Sequence, residues 1–179
     1  KEPEGSFLRD TKEYVTLLNS CGRLGKYSLG IGTLLENENL RKKAEEVLRE
    51  YKLEIIKSLD WFYKNKSKLQ EGKNYVIVNA GDYIKDTMIG TLVSIISSSN
   101  VYENGKYLVG MAYTLDNNIK ISIRISGNDR DKNVRELLKS VLGDNSNSGG
   151  HKMVGGAVIE MEKEEFFINS FSGLAHIKK

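Results

Sequence analysis

Cysteine is almost absent: Cys21 stands alone in 179 residues. That excludes an internal disulfide framework and any cysteine-based zinc cluster, and it fits a reducing, cytoplasmic compartment. Histidine is nearly as scarce, with only His151 and His176. Neither stands in an Asp-x-Asp, His-x-x-x-His or Asp-His-His context, so no metal site made by this chain alone is expected. No apolar run approaches the ~20 residues that span a bilayer, no N-terminal signal pattern is present, and a membrane is not an expected partner. An excess of one charge sign is missing too. Lys plus Arg outnumber Asp plus Glu by 27 to 24, a net +3, too little to imply nucleic-acid binding by itself. The chain also begins at Lys1 rather than methionine, and a piece of a longer protein is expected. What remains is enough sequence for one medium domain, or a small domain with an extension, with a core that needs no staples.

Along the chain, Asp10-Thr11-Lys12-Glu13 reads as a capped helix start, continued by Tyr14, Leu17 and Leu18 and expected to stop near Cys21-Gly22. Cys21 then ends an apolar helical face and reads as a small core residue rather than a reactive thiolate. Arg23-Leu24-Gly25-Lys26 and the pair Gly30 and Gly32 read as a charged loop. From Asn39 to about Lys68, apolar residues recur at three- and four-residue steps, which predicts one long amphipathic helix of ~45 Å with Trp61, Phe62 and Tyr63 capping the core. Beyond Gly72 the pattern becomes mixed. Tyr75–Val78 reads as a buried strand, Asp86–Ile96 as a helix packed through Gly90 and Thr91, and Tyr107–Leu115 with Ile119–Ser126 as a hairpin. Ser97, Ser98 and Ser99 close the helix and suit turn chemistry better than catalysis. Asn133–Leu142 reads as a helix, Ala157–Met161 as a strand and Glu164–Phe171 as a closing helix. The fold class expected is α/β, a mixed sheet of about five strands flanked by helices. A helical segment over residues 1–36 and a connecting helix over 37–72 precede it, and the α/β domain spans 73–179.

The most informative stretch is Ser148-Gly149-Gly150-His151-Lys152-Met153-Val154-Gly155-Gly156-Ala157. Glycine lets backbone N–H groups approach a ligand closely, so a Gly-Gly-His run opening a short helix suits a phosphate, with His151 and Lys152 adding donors and charge. On this reading a side chain at Gly149 or Gly150 obstructs the ligand while sparing stability, because the motif is expected on a cleft-facing loop. Arg124 alternates with Ser122 and Ser126 on one strand face, and Arg23 lies in a glycine-flanked turn. Arginine grips two phosphate oxygens at once, although Arg23 equally suits an internal salt bridge and Arg124 a solvated strand position.

At these residues the chain resembles a known family. The Ser148–Ala157 segment is similar to the Gly-Gly-Gly-His…Ala-Ala-Gly signature of the DHH-associated C-terminal domain of RecJ-like nucleases and oligoribonucleases, members of the DHH phosphoesterase superfamily. Ser122-Ile123-Arg124-Ile125-Ser126 is similar to the Ser-x-Arg strand that precedes it there, and Tyr14–Gly25 to the Leu-Leu-Asn-x-x-Gly-Arg-Leu-Gly segment of archaeal RecJ-like proteins. The three blocks stand in the family order. The resemblance implies the substrate-binding C-terminal portion of a metal-dependent phosphoesterase or exonuclease acting on single-stranded DNA or RNA ends. Gly149, Gly150, His151, Arg124 and Ser122, with Asn19 and Arg23, are then implied to grip the terminal phosphate, facing one cleft. It also implies two divalent metals, manganese or magnesium, in an Asp-His-His catalytic domain that this chain lacks. The chain by itself is therefore expected to be inactive, without metal or catalytic residues. Expected partners are single-stranded nucleic acid or short oligonucleotides, the N-terminal catalytic domain, and a replication or repair protein. Two departures stand out, a shortened glycine run and Gly155 in place of the first alanine. The alternative is a stand-alone nucleotide-, nucleic-acid- or protein-binding module without catalysis.

Overall fold

The computed structural model describes residues 10–127, 129, 131–144 and 146–177. The chain divides into two compact units, Lys1–Lys57 and Ser58–Lys179, each taken by itself. In the first, Asp10 caps helix α1 (Thr11–Arg23) by accepting from the Lys12 N–H at 2.7 Å, which satisfies one of the donors a helix start leaves free. Leu17 and Cys21, one turn apart, are buried on its inner face. The expected charged loop holds at Leu24–Lys26 but is corrected at Gly30 and Gly32: after Gly25, at φ +69°, the chain re-enters a helix, α2 (Tyr27–Leu34). Gly30 and Gly32 do not break it because they serve as contact points. A Cβ on Gly30 would lie 3.3 Å from Cys21 Cβ, and one on Gly32 2.2 Å from Leu40 Cδ1, so absent side chains let the helices close on each other. Helix α3 (Glu38–Asn65) follows, with Ala44, Val47, Leu48 and Tyr51 buried at three- and four-residue spacing. The border between the units falls inside it.

The second unit begins with the end of α3, a 3-10 turn at Lys66–Lys68 and strand β1 (Gln70–Glu71). Next come β2 (Tyr75–Asn79), helix α4 (Asp86–Ser98), β3 (Tyr107–Tyr113), β4 (Asn118–Ile125) and helix α5 (Val134–Leu142). The hairpin β5 (Ser148–Gly150) and β6 (Val154–Glu160), a 3-10 turn at Met161–Lys163 and helix α6 (Glu164–Ile177) complete it. The sheet has six strands in the order β1-β2-β3-β4-β6-β5, with β2 and β3 parallel and the other pairs antiparallel. The mixed α/β fold is as expected. The count differs from about five because both edge strands are two or three residues long and lack the alternation that marks a strand. β1 also lies within the segment expected as connecting helix, where it pairs with β2. Of the aromatic trio, Phe62 is fully buried, Trp61 stacks on Tyr83 at 5.9 Å, and Tyr63 is exposed.

The alternation of β4 sorts the sheet into two faces. Ile119, Ile121, Ile123 and Ile125 point to the side covered by α5 and α6, where Phe167 and Phe171 are fully buried. Phe171 meets Tyr75 and Tyr107 edge-on, with ring centroids 6.3 and 6.0 Å apart. Lys120, Ser122 and Arg124 take the other side, which α4 covers over β3 and β4. Packing there is close: a Cβ on Gly110 would meet Val93 Cγ2 at 2.4 Å, and one on Gly90 would meet Ser122 Oγ at 3.2 Å. Among the described residues no helix is long and apolar enough to cross a membrane.

Candidate functional site

The glycine motif does not open a helix. Ser148–Gly150 is the edge strand β5, and β6 starts at Val154 rather than at Ala157, so both glycine pairs belong to one β-hairpin turning at Lys152-Met153. The turn closes with the His151 N–H donating to Val154 O at 2.7 Å. Sheet pairing wins over helix start because the second glycine pair extends β6 and lets neighbours approach it: a Cβ on Gly155 would lie 2.6 Å from Val134 Cγ1.

Register then aligns the candidate residues across the sheet. Gly110 pairs with Ser122, Ser122 with Gly156, and Gly156 with Gly149. The next row on the same face runs from Leu108 through Arg124 to Val154, and one further step of the hairpin brings in His151. Residues directly paired across antiparallel strands share a face, so Gly149 and His151 stand on the same side of the sheet as Ser122 and Arg124. α4 covers the inner part of both rows; farther out Gly156 is half-buried while Gly149, His151 and Val154 are exposed. Ser122 is buried, and the half-buried Arg124 donates from Nη1 to Ile123 O at 2.9 Å and to Ser122 Oγ at 3.4 Å. The result is a flat patch paved by glycine and edged by a guanidinium and an imidazole. Such a patch can admit a phosphate or a sugar close to the backbone and supply charged donors from the side.

Gly150 is the exception. Alternation turns it to the other face, and a Cβ there would lie 2.3 Å from Val154 O and 2.6 Å from Gly155 Cα. Its lack of a side chain is demanded by the hairpin's own packing, so the expectation that substitution there spares stability is corrected. Asn19 and Arg23 lie in the first unit, both exposed and one turn apart on α1. The rows on the sheet do not include them. Sequence reasoning missed Lys120 and Gly156 as members of the open face. Lys120 is signalled by the same two-residue alternation that singled out Ser122 and Arg124.

The family model of the DHHA1 domain matches residues 72–176. The chain belongs to the DHHA1 domain family. It is 30% identical over 166 residues to an uncharacterised protein of Methanocaldococcus jannaschii, covering 90% of this chain and 34% of that protein. The DHHA1 domain and its preceding helices thus span about a third of the length of that relative. Two solved structures share the fold. RecJ from Thermus thermophilus in complex with Mg2+ has a TM-score of 0.67 at 16% identity, covering 90% of this chain and 24% of that one. Exonuclease RecJ bound to manganese has the same score and identity, with 39% of that chain covered. The chain is a C-terminal domain of the DHH superfamily, as the sequence resemblance implied.

Among the described residues the metals that the resemblance implies find no fit. Among the described residues no group of three His, Cys, Asp or Glu side chains gathers where a metal could be held. Burial raises the Cys21 thiol above its ordinary range, which keeps it protonated and poorly nucleophilic.

Proposed function

We propose that this chain is the substrate-gripping C-terminal portion of a RecJ-like metal-dependent phosphoesterase or exonuclease, and that its glycine-paved face holds the terminal phosphate of a single-stranded DNA or RNA end. The observation that carries the reading is the register that sets Gly149, His151, Ser122 and Arg124 on one partly open face. Arg124 supplies charge-assisted donors to the phosphate, His151 a side-chain donor, and Gly149 the room for approach. For Asn19 and Arg23 the resemblance implies substrate contacts of their own. The catalytic domain would hold manganese or magnesium, which would activate a water for attack on the phosphodiester, and a replication or repair protein is a further partner.

Bond cleavage is assigned to the parent protein; gripping alone is assigned to this chain. The test uses Arg124→Ala and Gly149→Val in the protein that carries the chain, with short single-stranded DNA and RNA as ligands. Removing the guanidinium is expected to cost about 1.5–3 kcal/mol in binding, roughly ten- to a hundredfold. Wild-type affinity and turnover in both variants, with folding intact, would leave the face as plain sheet surface and favour the stand-alone protein-binding module.

A further inference from the structure

Edge strand β5 has two sides, and the one turned away from the glycine-paved face opens on a cleft of about 510 Å³ between β5 and α5. Arg135 and Lys139, one turn apart on α5, line it together with Asp144 and all three residues of β5, Ser148, Gly149 and Gly150. Lys139 Nζ lies 2.7 Å from Asp144 Oδ1, so the carboxylate in the cleft is already matched. Arg135 is exposed and makes no hydrogen bond or ion pair among the described residues. It is the uncompensated charge of the cleft.

The backbone adds a donor. Asn147 O accepts from the Val158 N–H at 3.1 Å and the His151 N–H donates to Val154 O at 2.7 Å, so residues 147, 149 and 151 turn their polar groups toward β6. Antiparallel alternation then aims the N–H groups of Ser148 and Gly150 away from the sheet. The Ser148 N–H is taken up by Ser146 O at 2.8 Å, whereas the Gly150 N–H has no backbone acceptor among the described residues. An outward amide beside an uncompensated guanidinium makes a phosphate site of modest strength.

We infer that this cleft is a second phosphate subsite, which takes the next phosphate along a single strand whose end lies on the glycine-paved face. The inference rests on the reading under Proposed function. Its geometry is favourable because the strand between the two sites carries nothing larger than serine: Ser148, Gly149 and Gly150 let a sugar-phosphate chain pass over the sheet edge. A mononucleotide, with its single phosphate, fills the first site alone, while a longer strand engages both.

The experiment measures binding of a labelled mononucleotide and a single-stranded decanucleotide to the full protein that carries this chain, by fluorescence anisotropy over a range of salt. The variants are Arg135→Ala with Lys139→Ala together, and Arg124→Ala. The double variant is expected to weaken the decanucleotide roughly tenfold and to reduce its log–log salt slope by about 0.7 for each phosphate that is no longer neutralised, while mononucleotide affinity holds. Equal weakening of both ligands overturns the inference, because the cleft is then part of the first site. An unchanged decanucleotide affinity alongside a weakened Arg124→Ala variant also overturns it, and leaves the first site standing. If wild-type protein binds neither ligand, the first reading fails and the second falls with it. Both α5 residues are exposed, so an unchanged melting temperature is expected and separates these outcomes from misfolding.

Discussion

The two faces of the DHHA1 sheet are finished in opposite ways, although β4 contributes to both. Toward α5 and α6 it presents four isoleucines, each at most 3% exposed, and aromatic rings close over them. Toward α4 it presents Lys120, Ser122 and Arg124, and the helix stops short of the outer strands. From β2 across to β6 the face toward α5 and α6 is given over to burial, the dominant favourable term in folding. The other gives up burial over β6 and β5 and gains a surface where backbone and charge meet a ligand. Stability and recognition are thus separated by the two-residue period of a strand, and mutations on neighbouring positions should separate them too.

The largest effect is expected on the closed face. Phe171 is fully buried against Tyr75, Tyr107 and Phe167, so Phe171→Ala leaves a cavity and should cost about 3–5 kcal/mol of stability. Chemical denaturation measures this. A loss under about 1 kcal/mol would mean the site collapses freely, and the contrast between the faces would weaken.

Two adjacent glycines sharpen the comparison further. Gly150→Val forces a Cβ into the Val154 carbonyl and should destabilise by at least about 1–3 kcal/mol, the usual cost of overpacking. Gly149→Val meets nothing within 4 Å, and its effect on stability should stay within about 0.5 kcal/mol. Binding should follow the reverse order at matched folded fraction, with Gly149→Val obstructing the ligand. Equal melting temperatures for the two variants would show that β5 does not pair in the register described.

Most of the closed face was legible in the sequence because long apolar runs at period two and regular three- and four-residue steps carry its elements. The hairpin β3–β4 and helix α5 are of this kind; the structure starts α5 one residue later than the pattern, with the Asn133 side chain as its cap, accepting from the Glu136 N–H. What was illegible depended on glycines that pack. Gly30 and Gly32 look like breakers but lie where helices touch, and Gly155 and Gly156 look like loop but extend β6, where Gly155 packs under α5 and a Cβ on Gly156 would lie 3.1 Å from Ile121 O. Their role is set by partners distant in sequence, which local pattern cannot show. The residues of the open face were named from the motif and the resemblance. Their shared side of the sheet came only with the register, because the β4–β6 pairing that joins the Ser-x-Arg strand to the glycine motif skips over α5 and β5 in the chain.

Arg124→Ala tests whether the open face is a grip at all. The residue is half-buried, and its aliphatic stem adds to packing beside its guanidinium. Arg124→Lys is therefore the informative companion: it keeps stem and charge but loses the planar fork. If the fork matters, lysine should recover stability and only part of the affinity, read by thermal melting and oligonucleotide binding together. Full recovery of affinity by lysine would reduce the interaction to a point charge.

The smallest effect is expected at His151, where side chain and backbone do separate work. Its N–H closes the hairpin onto Val154 O at 2.7 Å, and that bond survives replacement by alanine. Its imidazole is exposed in the row of Arg124 and contributes one donor to the ligand. His151→Ala should therefore leave the melting temperature unchanged and weaken phosphate-bearing ligands by about 0.5–1.5 kcal/mol, the net value of a single hydrogen bond. Combined with Arg124→Ala, the loss should fall short of the sum of the single losses if both side chains hold one phosphate, because contributions to a shared group do not add. Strict additivity would place the two on different parts of the ligand. A fall in melting temperature without any change in binding would make His151 a turn residue and leave Arg124 as the cation that anchors the face.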